Sequence, residues 1–244
     1  MVIYDSHLHM GHLSDSLTVS PSEVMDFIHR HGVRGGVIMP TVCRGGNDNL
    51  KFHKLMYDMA IKRGFKIMLY VNYEVLSQLR MWKREDFSHF SGMKIHPDAV
   101  DFNDKELEEV CRIASQINLP LLIHTGDKDS CKSSRFEKYI KKHPEILFLL
   151  CHARPAYEAF HLLDKFKNVW IDTSFLPIEE LRNRLSNMNE DRILFGTDFP
   201  VNRWYEELGD EDEWYKGQIE DIKESFSPET ANKILGLNFE KMYL

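Results

Sequence analysis

A regular alternation of short apolar runs with longer amphipathic segments constrains this chain most. The apolar runs fall at 2–9, 34–40, 65–71, 92–96, 119–124, 145–152, 168–173 and 192–198. Segments with helical spacing lie at 21–32, 48–64, 104–118, 134–143, 156–165, 177–188 and, last, 227–244. Strands that are apolar almost throughout, with helices between them, are typical of parallel sheets that helices cover.

Eight such strands predict an α/β fold of a particular kind, a (β/α)₈ TIM barrel. A closed barrel of this type needs about 250 residues, and the chain has 244. Because no linker rich in Pro, Gly and Ser interrupts the series, we expect one domain over residues 1–244. Barrels of this type carry their chemistry at the carboxyl ends of the strands, so candidate residues are sought there.

The charge and the cysteines exclude several classes of function. The chain carries 31 Lys and Arg against 38 Asp and Glu, a net charge of −7, so we expect neither a nucleic-acid nor a membrane partner. Its four cysteines are far apart, which is typical of reduced thiols. With no signal-peptide pattern at MVIYDSHLHM, we expect a cytoplasmic protein that acts on a small molecule. Whether it forms a homo-oligomer stays open.

The first strand carries the strongest site signal. Asp5, His7 and His9 alternate in YDSHLHM, so strand periodicity predicts that they share one face. The two histidines would lie roughly 6.5 Å apart along the strand, close enough for both imidazoles to reach one ion about 2 Å from each nitrogen. The pattern therefore predicts a metal site at the end of this strand.

Three more strands end in residues of the same chemistry. His124 ends the fifth apolar run, His152 the sixth and Asp198 the eighth. In a closed barrel, the ends of strands one, five, six and eight surround one cavity. Imidazole and carboxylate groups are ligands of zinc-type ions, so we predict one or two divalent ions, Zn²⁺ being the best match.

These residues resemble the amidohydrolase superfamily: HxH on the first strand, histidines on strands five and six, and Asp in GTDFP on strand eight. The stretches GMKIHP and ILGLNFEKMYL resemble its smaller branch, which includes relatives of aminocarboxymuconate semialdehyde decarboxylase. The resemblance implies that His7, His9, His124 and Asp198 hold the primary metal.

Two residues keep alternative roles under this resemblance. His152 is either a catalytic group beside the ion or a ligand of a second ion. Lys94 is either carboxylated, bridging two ions as in binuclear members, or an ordinary ammonium. In the smaller branch that this chain resembles, this lysine is commonly unmodified. For the substrate, we expect contacts with Arg154, Lys94, His96 and Arg44, since arginine binds carboxylate or phosphate groups in a two-pronged manner.

The expected function is hydrolysis of an amide, ester or lactone bond in a small molecule. A divalent ion activates water near neutral pH, Asp198 serves as the general base, and His152 stabilises the developing charge or shares the proton transfer. A metal-dependent decarboxylase of an unsaturated or aromatic acid is the first alternative. A TatD-like nuclease, whose GEIGLD-like stretch is replaced here by GMKIHPDA, and a non-catalytic binding barrel are the others.

Overall fold

A computed structural model describes residues 1–14, 17–40, 59–185 and 189–244, and its centre is a nine-stranded sheet. The strands are β1 Ile3–Ser14, β2 Leu17–Val19, β3 Val33–Pro40, β4 Lys66–Tyr70, β5 Gly92–Ile95, β6 Leu121–His124, β7 Phe148–Cys151, β8 Val169–Asp172 and β9 Ile193–Leu194. They lie side by side in the order β2-β1-β3-β4-β5-β6-β7-β8-β9. Every neighbouring pair is parallel except β1 with β2.

Helices follow most of the strands. They are α1 Pro21–Arg30, α2 Tyr73–Leu79, α3 Asp104–Ile117, α4 Glu137–Lys142, α5 Ala156–Lys165, α6 Ile178–Arg184, α7 Glu211–Ser225, α8 Pro228–Asn232 and α9 Asn238–Tyr243. Local sequence explains several of their starts. Ser20 caps α1 by accepting a hydrogen bond from the Glu23 amide at 3.2 Å, and Asn103 and Glu106 form a reciprocal capping box at α3.

The strands are apolar on both faces because each face packs against other side chains. On β6, Leu122 belongs to a cluster inside the curve of the sheet, whereas its neighbour Ile123 packs toward the helices. The inner cluster draws on seven strands and on α9. Its buried members are Tyr4, Val37, Met39, Met68, Leu122, Leu149, Cys151, Trp170, Leu194 and Phe239. Contacts among strands so far apart in the sheet order require a strongly curled sheet.

The chain that follows β9 returns to β1. The Ser6 amide donates to the Phe195 carbonyl, the Asp198 amide to the His7 carbonyl, and the His9 amide to the Phe199 carbonyl, each at 2.8 Å. The fold is therefore α/β with a curled, mostly parallel sheet, consistent with a TIM-like barrel. The same hydrogen bonds bring the first and last predicted site residues to one place.

Each of the eight predicted apolar runs contains a strand, and the structure adds β2, an antiparallel ribbon on the extended end of β1. The predicted helix at 48–64 lies mostly outside the described residues, which show helix at 59–62. Residues 199–217, which belong to none of the predicted strands or helices, include the start of α7, which begins at Glu211 with Asp210 as its cap. Within the described ranges, no helix is both long and apolar enough to cross a membrane.

Candidate metal centre and active site

The imidazole rings of His7 and His9 on β1 converge. Their Nε2 atoms lie 3.2 Å apart, and both side chains are buried. The prediction that Asp5 shares their face is wrong. The pairing of β1 with β3 shifts register between Asp5 and Leu8, and such a bulge interrupts strict alternation. The Asp5 carboxylate turns instead to Thr197 and to Tyr215 of α7, which donates to it at 2.9 Å.

Asp198 reaches this pair from the segment after β9. Its Oδ1 atom lies 2.8 Å from His9 Nε2 and 3.2 Å from His7 Nε2. The backbone of Asp198 is left-handed, with φ of 64°, a conformation that Asp tolerates better than most residues. Three ligand-type atoms from opposite ends of the sequence thus form one triangle.

The triangle fits a divalent ion. Two ligand atoms at zinc-like distances of about 2.0–2.2 Å in a tetrahedral site lie ~3.3 Å apart, and the three observed distances are 2.8, 3.2 and 3.2 Å. Asp198 Oδ1 is buried and accepts no hydrogen bond of normal geometry from the residues that the structure describes. Both the spacing and the donor set, two imidazoles and a carboxylate, suit a zinc-type cation.

The electrostatics of the triangle also favour a cation. Burial raises the pKa of Asp198, but the imidazoles of His7 and His9 lower it more, to well below the usual range, so this carboxylate is ionised. Burial and Lys94 lower the pKa of His7. The negative charges around His7, that of Asp198 first among them, outweigh both effects and raise this pKa to about 10. A negative potential that holds a proton so firmly would also attract a metal ion.

His7 is oriented by Asp172, which ends β8. His7 Nδ1 donates to Asp172 Oδ2 at 2.9 Å, which leaves Nε2 to face Asp198 and His9. A metal-binding histidine commonly donates its other nitrogen to a carboxylate in this way. Sequence analysis missed Asp172, although the signal that identified Asp198 was present: Asp172 is the first strongly polar residue after the apolar run VWI.

His152 joins the same network. Its backbone amide donates to Asp172 Oδ1 at 2.9 Å, and Ser174 Oγ lies 2.9 Å from its Nδ1 atom. Burial is the main cause that lowers the pKa of His152 to about 3, so the imidazole is neutral and one of its ring nitrogens carries no proton. One ligand-type atom each from His7, His152 and Asp198 lies within 4.8 Å of the others. Ser174 is a second residue that sequence analysis missed.

His124 contacts His152 on the side away from Ser174. Its Nδ1 atom lies 3.0 Å from His152 Nε2, and its ring stacks on His96 with centroids 3.7 Å apart. Among the described residues, two groups have ligand atoms within 4.8 Å of one another, His7 with His152 and Asp198 and His7 with Cys151 and Asp172, and His124 belongs to neither. The predicted role of His124 as a primary metal ligand therefore stays a prediction.

Comparison with known proteins identifies the family. The family model described as Amidohydrolase matches residues 4–244. The chain belongs to the amidohydrolase superfamily. Among proteins with curated annotation, none matches it.

Solved structures share the fold of this chain at low sequence identity. A probable 2-pyrone-4,6-dicarboxylic acid hydrolase from Acinetobacter baumannii with bound citric acid is 14% identical, with a TM-score of 0.71, covering 100% of this chain and 99% of the other. The IDCase of Metarhizium anisopliae in apo form is 11% identical, with a TM-score of 0.73 and coverages of 99% and 97%. The 4-oxalomesaconate hydratase of Rhodopseudomonas palustris is 14% identical, with a TM-score of 0.63 and coverages of 99% and 95%.

A cavity of about 510 Å³ opens above the triangle of His7, His9 and Asp198. His96, His124, His152 and Arg154 line its polar side. Arg154 Nη2 donates to the Phe175 carbonyl at 3.2 Å, and no carboxylate in the described ranges pairs with the guanidinium. Burial is the main cause that lowers the pKa of His96 to about 4, and the nearby Lys94 is the second. Arg44, the remaining predicted substrate contact, lies outside the described residues.

Lys94 lies beneath the cavity, with a side chain only 1% exposed. Its Nζ atom is 3.4 Å from His7 Nε2 and 3.0 Å from Cys151 Sγ. No carboxylate forms an ion pair with it in the part of the chain that the structure describes. Neither interpretation of Lys94, carboxylated bridge or ammonium, is tested by these contacts.

Proposed function

We propose that this amidohydrolase is a metal-dependent hydrolase that cleaves an amide, ester or lactone bond in a small acidic molecule. The observation that carries the proposal is the convergence of His7 Nε2, His9 Nε2 and Asp198 Oδ1, pairwise within 3.2 Å, at the base of a cavity. A site of two imidazoles and one carboxylate is typical of catalytic zinc, which keeps a coordination position open.

The proposal includes the architecture that holds this site. A complete (β/α)₈ barrel in one domain over residues 1–244 is supported by the hydrogen bonds between β1 and residues 195–199. It is also supported by the similarity to solved structures over 99–100% of the chain. Closure would place the ends of β1, β6, β7 and the segment after β9 around one cavity.

His7, His9 and Asp198 would hold the ion, with His124 or His152 completing its ligands, and Zn²⁺ is the metal that we favour. A divalent ion held there supplies Lewis acidity to the attacking water and to the oxygen that gains charge. A second ion, with His152 or a carboxylated Lys94 as its ligand, would require further ligands from the same cavity.

The chain's own residues supply the rest of the chemistry. The ionised Asp198 carboxylate accepts the proton of the attacking water and returns it to the leaving group. Neutral His152, held at Nδ1 by Ser174, stabilises the developing negative charge and can share the proton transfer. Arg154 fixes an acidic group of the substrate through its guanidinium, while Lys94, His96 and Arg44 are the further proposed substrate contacts.

Decarboxylation of an unsaturated or aromatic acid is the second candidate. It is supported by the similarity to the IDCase, one of the decarboxylase-like neighbours. Both reactions use a polarised oxygen and an acidic group held by Arg154. A nuclease has less support because the net charge is −7, and a non-catalytic barrel has less because it gives no reason for the metal-binding triangle.

The test combines metal analysis with two assays. Protein purified without chelator is expected to contain about one or two divalent ions per chain and to hydrolyse one member of a panel of carboxylated lactones, esters and amides. A parallel assay for released carbon dioxide separates the lyase alternative. Asp198→Asn should abolish turnover, whereas the control Asp129→Asn, whose side chain is 95% exposed, should not. Metal-free protein without turnover in either assay would reject both enzymatic candidates.

A further inference from the structure

A second cavity, of about 250 Å³, lies beside the catalytic one, between α6 and α7. Apolar side chains form most of its lining, and Thr173, Gln218 and Asp221 add polar groups. The apolar members that line this cavity alone are Leu176, Pro177, Ile178, Leu181, Trp214 and Ile222. Phe175 and Leu208 line both cavities and therefore form the wall between them.

Phe175 is held in an unfavourable backbone conformation at this wall. Its φ is 52°, in the left-handed region, which is costly for a bulky residue and persists only where the surroundings impose it. The surroundings are visible: its carbonyl accepts from Arg154, and its ring contacts Tyr205 and Trp214, with centroids 5.6 and 6.2 Å away. Phe175 thus contacts both Arg154, the proposed acid-binding residue, and the other aromatic side chains at the wall.

We propose that the second cavity is a subsite for the apolar end of the acidic substrate, and that Phe175 with Leu208 determines how long that end can be. The inference rests on the proposed function, since the occupant is the molecule whose acidic group Arg154 holds. An acid anchored at Arg154 meets the carbonyl and ring of Phe175 next. Any apolar tail that extends past Phe175 and Leu208 leaves the histidine-lined side of the catalytic cavity and enters the apolar one.

The physical consequence is a dependence of affinity on tail length. Each methylene group that leaves water for an apolar cavity tightens binding about fourfold. The gain should continue while the tail fills the second cavity and stop once the tail emerges into solvent. If the binding site were limited to the catalytic cavity, affinity would rise little for acids longer than the shortest ones.

The experiment measures binding, not turnover, so that it stands apart from the catalytic assays. Butanoate, hexanoate and octanoate are titrated calorimetrically into the metal-loaded full chain. We expect affinity to rise about fourfold per methylene in the wild type. Gln218→Trp, which fills the second cavity from α7, should remove the gain for octanoate and leave butanoate unchanged. Ile178→Trp repeats the test from α6, and Gln78→Trp, a half-buried glutamine on α2, is the matched control.

Each outcome decides the subsite separately from the reaction. Arg154→Gln should weaken all three acids by a similar factor if the anchor is placed correctly. A flat dependence on tail length in the wild type, or a full octanoate gain in folded Gln218→Trp and Ile178→Trp variants, would overturn the subsite even if hydrolysis is found. A gain that both variants remove would support it even if the enzyme proves to be a lyase.

Discussion

His7 Nδ1 and Asp172 Oδ2 lie 2.9 Å apart in the buried centre of the molecule, at the ends of a hydrogen bond that joins β1 to β8. The same carboxylate accepts the backbone amide of His152 at 2.9 Å through its other oxygen. One side chain thus sets the orientation of a proposed metal ligand and of a proposed catalytic imidazole. This dual contact makes Asp172 the residue whose replacement is most informative.

Asp172→Asn should weaken metal binding by roughly 10–100-fold, the usual cost of losing a partner of a metal-binding histidine. An amide can still accept from the His152 backbone, but its NH₂ group faces His7 Nδ1. His7 must then carry its proton on Nε2, where the ion would bind. Competition with a chromophoric chelator measures the affinity. Asp191→Asn, at a half-exposed carboxylate paired with Lys233, is the control; wild-type affinity in Asp172→Asn would contradict the role.

His7→Asn and His9→Asn should each lower metal affinity by about 100-fold or more while the fold is retained. Each replacement removes one corner of the triangle with Asp198 and keeps a polar group in the buried site. Metal analysis after dialysis, with circular dichroism to verify folding, checks the result. His161→Asn, at an exposed position of α5, should behave as wild type. Full metal occupancy in both site variants would refute the ligand assignment.

Ser174→Ala should lower kcat by about tenfold and leave KM nearly unchanged. The hydroxyl of Ser174 holds His152 Nδ1 at 2.9 Å and also donates to Asp172, but it does not line the catalytic cavity. Steady-state kinetics on the substrate found in the hydrolase panel measures the two constants. Ser174→Thr, which keeps the hydroxyl, should restore most of the rate. An equal loss in both variants would indicate a packing role instead.

Gly36→Ala should destabilise the protein by about 1–3 kcal/mol or more, because an added methyl group overpacks a buried contact. A Cβ atom at Gly36 would lie 2.0 Å from the Asp5 carbonyl oxygen on the neighbouring strand β1. Gly217→Ala is the matched control. Apart from the backbone of the helix itself, no atom in the described ranges lies within 4 Å of a Cβ at this position of α7, and alanine should stabilise the helix by about 0.5–1 kcal/mol. Urea denaturation measures both changes; similar effects at the two positions would contradict the close approach of β1 and β3.

Much of the fold could be predicted because parallel strands buried on both faces leave a plain signal. Each apolar run of the sequence contains a strand, and α1 begins at residue 21, where the helical segment predicted at 21–32 starts. By composition, the acidic stretch 206–213 fits a solvated loop as well as a helix start. Its second half is not part of a loop but forms the cap and first turn of α7, where acidic side chains interact favourably with the helix dipole.

The candidate site was predictable in its residue types and less so in its connections. The end of each apolar run marked His124, His152 and Asp198, and the same signal was available for Asp172. The contact of Asp5 with Tyr215 could not be predicted, because a bulge in β1 depends on its pairing with β3. Ser174 carries no local signal, since an isolated serine after a strand occurs in many loops.

The sequence by itself determined the strands, most helix starts and the kinds of side chain available at the strand ends, because hydrophobic periodicity and capping are local properties. Only the tertiary structure decided that His7 and Asp198, 191 positions apart, lie 3.2 Å from each other. It also decided that Asp172 serves two histidines and that Phe175 separates two cavities. These relationships arise from the curl of the sheet, which brings the chain after β9 back to β1, and no local pattern encodes that distance.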